Sequence, residues 1–283
     1  MEIFYLLLGI CGLTTQNVSR KIYSRRGGGG TFIFSAISCL SACLFFLISS
    51  GFELHFTAEL IPYILLFAVS YGSAVVFSFL SIKTGPLSVT SLISSYSLVI
   101  PTLYGLVVFH EQVGVWFYVG VALLALSLLF INMKKGTGGV KITLSWAIFV
   151  ILAFAGNGMC STVQAVQQRD FVGQYKSELM ISSLLVVSAV LLILAFTVER
   201  REIGRSIKRC GYMIVCGAAN GATNLMVMLL VGMMNASLMY PLLSAGNILL
   251  TTVFSVLVFK EKLTKLQTVG LVLGIASVVF MNI

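Results

Sequence analysis

The sequence predicts an all-α integral membrane protein, with ten transmembrane helices arranged as two inverted five-helix repeats. Three observations lead there. Of 283 residues, 58% are hydrophobic and only 10% charged, against roughly 25% charged in a soluble domain. The apolar residues gather into continuous runs, and about 20 residues at about 1.5 Å rise cross a bilayer core of roughly 30 Å. The phrase "VVFHEQ" at 107–112 also returns as "LVFKEK" at 257–262. The runs are not alternating, which argues against a barrel, and lipid then leaves only helices.

The elements follow in chain order. Run 2–19 lacks a basic leader and a cleavage signal, so it reads as a retained span rather than a signal peptide. Run 31–51 follows "RRGGGG" at 25–30, which lacks the Gly-Lys-Ser/Thr ending of a phosphate loop and reads as a flexible link. Run 60–82 comes next. Run 86–109 begins at Pro86 and carries Pro101. Runs 113–133 and 143–167 straddle the midpoint of the chain, and 178–198 is almost wholly apolar. Run 211–232 holds Gly217 and Gly221 four residues apart. Run 235–259 contains Pro241, and 264–282 holds Gly270 and Gly274. Prolines in spans kink helices or shape the bundle. Paired small residues let helices approach closely, either within one chain or as a dimer seam.

Shifting 85–133 by 150 residues superposes polar positions that chance hydrophobicity would not align. Glu111 meets Glu261, Ser94 meets Ser244, Thr102 meets Thr252 and Asn132 meets Asn282. Earlier, "TTQNV" at 14–18 resembles "TVQAV" at 162–166. The repeats are 1–137 and 138–283, together one membrane domain. Five helices is an odd number, so the second copy enters from the opposite side. Inverted repeats of this kind recur in secondary transporters, whose site lies between the halves.

An apolar helix ending in F-x-E, a short polar turn, a Gly and then a small-residue helix occurs twice. The two copies are "VVFHEQVGVWFYVGVALLALSLLFIN" and "LVFKEKLTKLQTVGLVLGIASVVFMN". This pattern resembles the EamA family of the drug/metabolite transporter superfamily over the full length. The resemblance implies ten helices around a central cavity and export or exchange of small metabolites.

Glu111 and Glu261 sit at helix ends beside His110, Lys260 and Lys262. They read as structural caps that satisfy the free N–H groups of the following helix. No ionisable residue lies well inside any run, and Lys83, close to the end of run 60–82, can snorkel. Neutral polar groups do lie at depth: Asn157, Gln164, Asn220, Asn224 and Asn247, with Tyr71, Tyr96 and Tyr240 on related helices. Amides in lipid need partners, so these face a cavity or one another. As a set they suit a neutral polar or weakly cationic solute, since a Tyr face attracts a cation.

Sixteen of the eighteen Lys and Arg fall in or beside the loops that follow odd-numbered runs. That bias puts those loops in the cytoplasm and both termini outside, whereas the resemblance implies termini inside. Net charge is +9, but it is divided among short loops, including "ERREIGRSIKR" at 199–209, which suits anionic headgroups rather than nucleic acid. Catalysis is not expected. The two histidines lie in or beside loops, no acid pair lies at depth, and the six cysteines form no metal-ligand spacing. Neither metal nor cofactor is expected. The partners are then a small-molecule substrate and the bilayer, in a monomer or homodimer of the bacterial plasma (inner) membrane. The alternative is a lipid or lipid-carrier flippase subunit, or a non-transporting membrane partner.

Overall fold

The computed structural model describes residues 1–84, 90, 93, 96–132, 143–258 and 264–281. These residues are helical throughout, joined by short turns. The helices are α1 (Glu2–Arg25), α2 (Thr31–Ser49), α3 (Ile61–Thr84), α4 (Val99–Val107), α5 (Val115–Asn132), α6 (Leu144–Asp170), α7 (Lys176–Val198), α8 (Cys210–Val231), α9 (Ala236–Leu257) and α10 (Lys265–Met281). A short turn of helix, Ile203–Ile207, lies between α7 and α8, and a 3-10 turn, Tyr96–Leu98, leads into α4. Six segments are long and apolar enough to cross a membrane: Thr31–Ser49, Ala58–Ser81, Leu144–Asp170, Lys176–Val198, Cys210–Val231 and Ala236–Phe254. Large apolar side chains such as Leu44, Val69, Ile151 and Ile193 lie exposed along them. In water this would be an aggregation hazard, but lipid is their natural contact.

The chain forms two compact units that cut across its order. One comprises Met1–Gly72 with Val163–Met233, the other Ser73–Thr162 with Met234–Ile283.

In the first unit α1 and α8 run antiparallel in close contact. A Cβ on Gly12 would lie 2.2 Å from the Thr223 hydroxyl and 3.1 Å from the Ala219 carbonyl oxygen. Gly217 similarly brings α8 onto α2, where a Cβ would fall 2.2 Å from the Ser38 carbonyl oxygen. Tyr23, Phe34, Met213 and Cys216 form a buried cluster beneath.

The link "RRGGGG" is a closely packed turn, not the flexible one expected. Gly27, at φ +76°, ends α1 by donating its N–H to the Ser24 carbonyl while Gly28 N–H reaches Tyr23, a Schellman closure. Side chains at 28, 29 or 30 would collide with the Tyr23 ring, Glu202 or Glu199. Glu199, 6% exposed, accepts the N–H groups of Thr31, Phe32 and Ile33 at 2.7, 2.8 and 3.2 Å. It thereby satisfies the open N-terminus of α2. Ser206 accepts from Tyr23 OH at 2.7 Å and from Gly30 N–H at 3.1 Å.

In the second unit α5 and α10 pack antiparallel through residues that the repeat pairs. Ser127 donates to the Gly270 carbonyl at 2.6 Å, while a Cβ on Gly120 would lie 2.9 Å from the Ser277 carbonyl oxygen. Gly274 rests against the Ser127 hydroxyl. The small residues of α10 therefore serve packing within the chain. Thr102 and Thr252 make matching bonds to the carbonyls four residues earlier, each at 2.7 Å.

Glu111 is a cap, but of a different helix from the one expected. Its carboxylate accepts the N–H groups of Ala236 and Ser237 at 3.0 and 2.8 Å, at the start of α9 rather than of α5. His110, at φ +52°, turns the chain to deliver it, and Gly105 leaves it room, since a Cβ there would lie 2.6 Å from the carboxylate. Glu261 and Pro86 lie outside the described residues. Pro101 sits in the first turn of α4, where a missing N–H costs little, and Pro241 lies inside α9.

Candidate functional site

Four of the expected residues fall in the first unit, and three of them join one hydrogen-bonded chain. Gln164 on α6 donates to Asn224 on α8 at 2.6 Å. Asn224 donates to the Asn220 side-chain oxygen at 3.1 Å and to its carbonyl at 2.8 Å. Asn220 donates to Gln16 on α1 at 3.1 Å, and Gln16 donates to the Thr223 hydroxyl at 3.1 Å. Gln16 and Gln164 are 6% and 3% exposed, while Asn220 and Asn224 are half-buried. The i, i+4 spacing of the two asparagines sets both on the face of α8 that meets α1 and α6. Gln164 also touches the Met180 sulfur at 3.5 Å. Tyr71, the fourth, stacks on Phe67 with ring centroids 5.9 Å apart.

Arg20 was not anticipated. Run 2–19 stopped short of it, but α1 continues to Arg25 and carries Arg20 one turn beyond Gln16. Its electrostatic neighbours are the Cys216 thiol, Tyr71 and Cys39. Solvent reaches the side chain although helices α1, α2, α3 and α8 all contribute neighbours. Among the described residues no carboxylate stands against it. The expectation of a neutral polar or weakly cationic solute rested on the amides and the tyrosine faces, and Arg20 adds a permanent cation beside them. The signal was present in "TTQNVSR" at 14–20, a polar stretch out of place in a span.

The other four lie in the second unit. Asn157 donates to the Ser97 hydroxyl, and Tyr96 donates to the Ala125 carbonyl. Tyr240, 2% exposed, donates to the Ser161 carbonyl at 2.6 Å, so it packs α9 on α6 and offers no surface to a solute. Asn247 accepts from Thr251 at 3.1 Å. Tyr96 also lines an apolar crevice of about 160 Å³ with Thr102, Phe117, Tyr118, Pro241 and Ser244. Among the described residues no group of three or more His, Cys, Asp or Glu is placed to hold a metal ion.

A helical, lipid-facing bundle with amides bonded at depth is the setting in which the sequence comparisons fall. The sequence profile of the EamA-like transporter family matches residues 141–283. The chain belongs to the EamA-like transporter family. This EamA-like chain is thus an integral, multi-pass membrane protein of a transporter family within the drug/metabolite transporter superfamily. No curated protein matches it. Twenty-nine chains of solved structures do. One crystal structure superposes with a TM-score of 0.77 at 13% identity, over 99% of this chain and 95% of the other. At that identity the likeness concerns the fold alone.

Proposed function

We propose that this EamA-like protein is a secondary transporter that moves a small polar solute by alternating access between two inverted five-helix repeats. It works as an exporter or exchanger in the bacterial plasma (inner) membrane. The observation that carries this reading is the amide chain Gln164–Asn224–Asn220–Gln16. It joins α1, α6 and α8 inside a bundle whose outer surface is apolar. Polar groups at such depth are costly unless paired, and half-buried ones that water can reach can exchange partners with a solute. The reciprocal packing of repeat-matched residues, Ser127 on Gly270 and Gly120 on Ser277, supports two halves related by a two-fold axis in the membrane plane.

The test is counterflow in proteoliposomes. Vesicles preloaded with one unlabelled solute from a panel of amino acids, hydroxy acids, sugars and nucleosides should accumulate its labelled form. Asn224→Ala should reduce the rate at least tenfold, because it removes two links of the chain. Absence of flux for every solute, with labelled phospholipid crossing instead, would replace this reading with the flippase one.

A further inference from the structure

We propose that Arg20 is the recognition point for a single carboxylate on the transported solute, an inference that rests on the transporter reading above. A guanidinium stays protonated at any physiological pH. Within an apolar bundle it therefore needs an anion or water beside it. The partners that face Arg20 are the Cys216 thiol, Tyr71 and Cys39. Thiols and phenols are neutral near pH 7 in their ordinary state, so among the described residues nothing compensates the charge, while the residue is exposed.

The other cations of this region are placed differently. Arg205 pairs with Glu202 at 3.2 Å. Arg26 lies over the Tyr212 ring, 5.5 Å from its centroid. Arg209 donates to the Arg205 carbonyl at 3.2 Å. Arg26 and Arg209 flank the ends of α1 and α8, and Arg205 lies in the short turn Ile203–Ile207. Arg20 instead lies five residues before the end of α1, about 8 Å inside it, opposite the second turn of α8. An ionisable group that far in, exposed and with no carboxylate against it among the described residues, is placed to meet a charged ligand.

The local charge selects the ligand class. A planar guanidinium matches a carboxylate with two parallel hydrogen bonds. A phosphate dianion would call for a second cation, and the neighbours of Arg20 supply none. Lys21 is the next residue on α1, about 100° further round the helix. One turn away, on the same face, Gln16 opens the amide chain. The site thus reads a carboxylate at Arg20 and polar groups of the solute along Gln16 and Asn220.

The experiment measures binding by the purified full-length protein in detergent, by thermal shift and calorimetry. The probes are matched pairs that differ only in charge: 4-hydroxybenzoate and 4-hydroxybenzamide, lactate and lactamide, N-acetylglycine and its amide. At least one carboxylate should bind and its amide should not. Arg20→Gln should weaken that binding about 100-fold. Arg20→Lys, which keeps the charge but loses the fork, should weaken it about tenfold. The inference is overturned if no carboxylate binds, if the amide binds equally well, or if Arg20→Gln retains the carboxylate affinity. Should Arg20→Gln fail to elute as folded protein, unchanged affinity in Arg20→Lys overturns the bidentate contact by itself. Flux is scored separately. Carboxylate binding without transport leaves the Arg20 site standing and sinks the transporter reading. Transport of an uncharged solute that Arg20→Gln leaves unchanged, with no carboxylate bound, does the reverse.

Discussion

Three acidic residues show how single side chains stabilise this bundle by accepting backbone N–H groups. Glu111, Glu199 and Glu178 each accept backbone N–H groups, of α9, of α2 and of His55. A helix N-terminus presents free donors and a partial positive charge, so a carboxylate there satisfies both. Glu199 takes three donors while nearly buried, which makes it the most consequential. Glu199→Ala should cost about 2–3 kcal/mol, since hydrogen bonds to a charged acceptor are worth about 1.5–3 kcal/mol each and water replaces only part of them. The check is the thermal midpoint in detergent, which should fall by about 5 °C or more. Glu199→Gln retains an acceptor oxygen and should lose clearly less. Equal loss in both would mean that charge rather than hydrogen bonding stabilises the cap.

The helices themselves meet through small residues. Lipid tails give apolar helices no hydrophobic reason to associate, so close backbone approach and interhelical hydrogen bonds must do it. Gly217 against Ser38, Gly12 against Thr223 and Gly120 against Ser277 are such approaches. Gly217→Val should therefore be severe. Its Cβ would meet backbone that cannot move aside, and overpacking of this kind costs typically about 1–3 kcal/mol. Gly211→Ala, where nothing lies within 4 Å, should be neutral or stabilise by up to about 1 kcal/mol. Melting curves of the two variants side by side would test this. Comparable loss in both would show that the close contact at Gly217 is not what sets the cost of its substitution.

At the level of the whole molecule the open quantity is orientation. Cys210 is exposed at the start of α8, in the loop that holds five of the basic residues. The other exposed cysteine, Cys11, lies within α1, and the remaining four are buried. The charge bias places the Cys210 loop in the cytoplasm. A membrane-impermeant maleimide should then label Cys210 only after cells are permeabilised. Labelling of intact cells would put the termini inside, as the family pattern implies.

The helices were legible because hydropathy is a local property. Runs such as 178–198 and 211–232 match α7 and α8 to within a few residues, since a span is defined by its own composition. The repeat and the capping nature of Glu111 were equally local. The end of α1 was not, because the run was closed at residue 19, before the basic residues Arg20, Lys21 and Arg25 that α1 goes on to carry. Partnership lay beyond the sequence throughout. That Glu111 caps α9, that Glu199 caps α2, and that Gln16 meets Asn220 across 204 positions depend on which backbones approach closely. That choice is made by glycines fitting against carbonyls on distant helices. The sequence by itself determined that the chain is a bundle of apolar helices able to cross a membrane. Only the tertiary structure decided which of its polar groups are joined, and that no carboxylate among the described residues stands against Arg20.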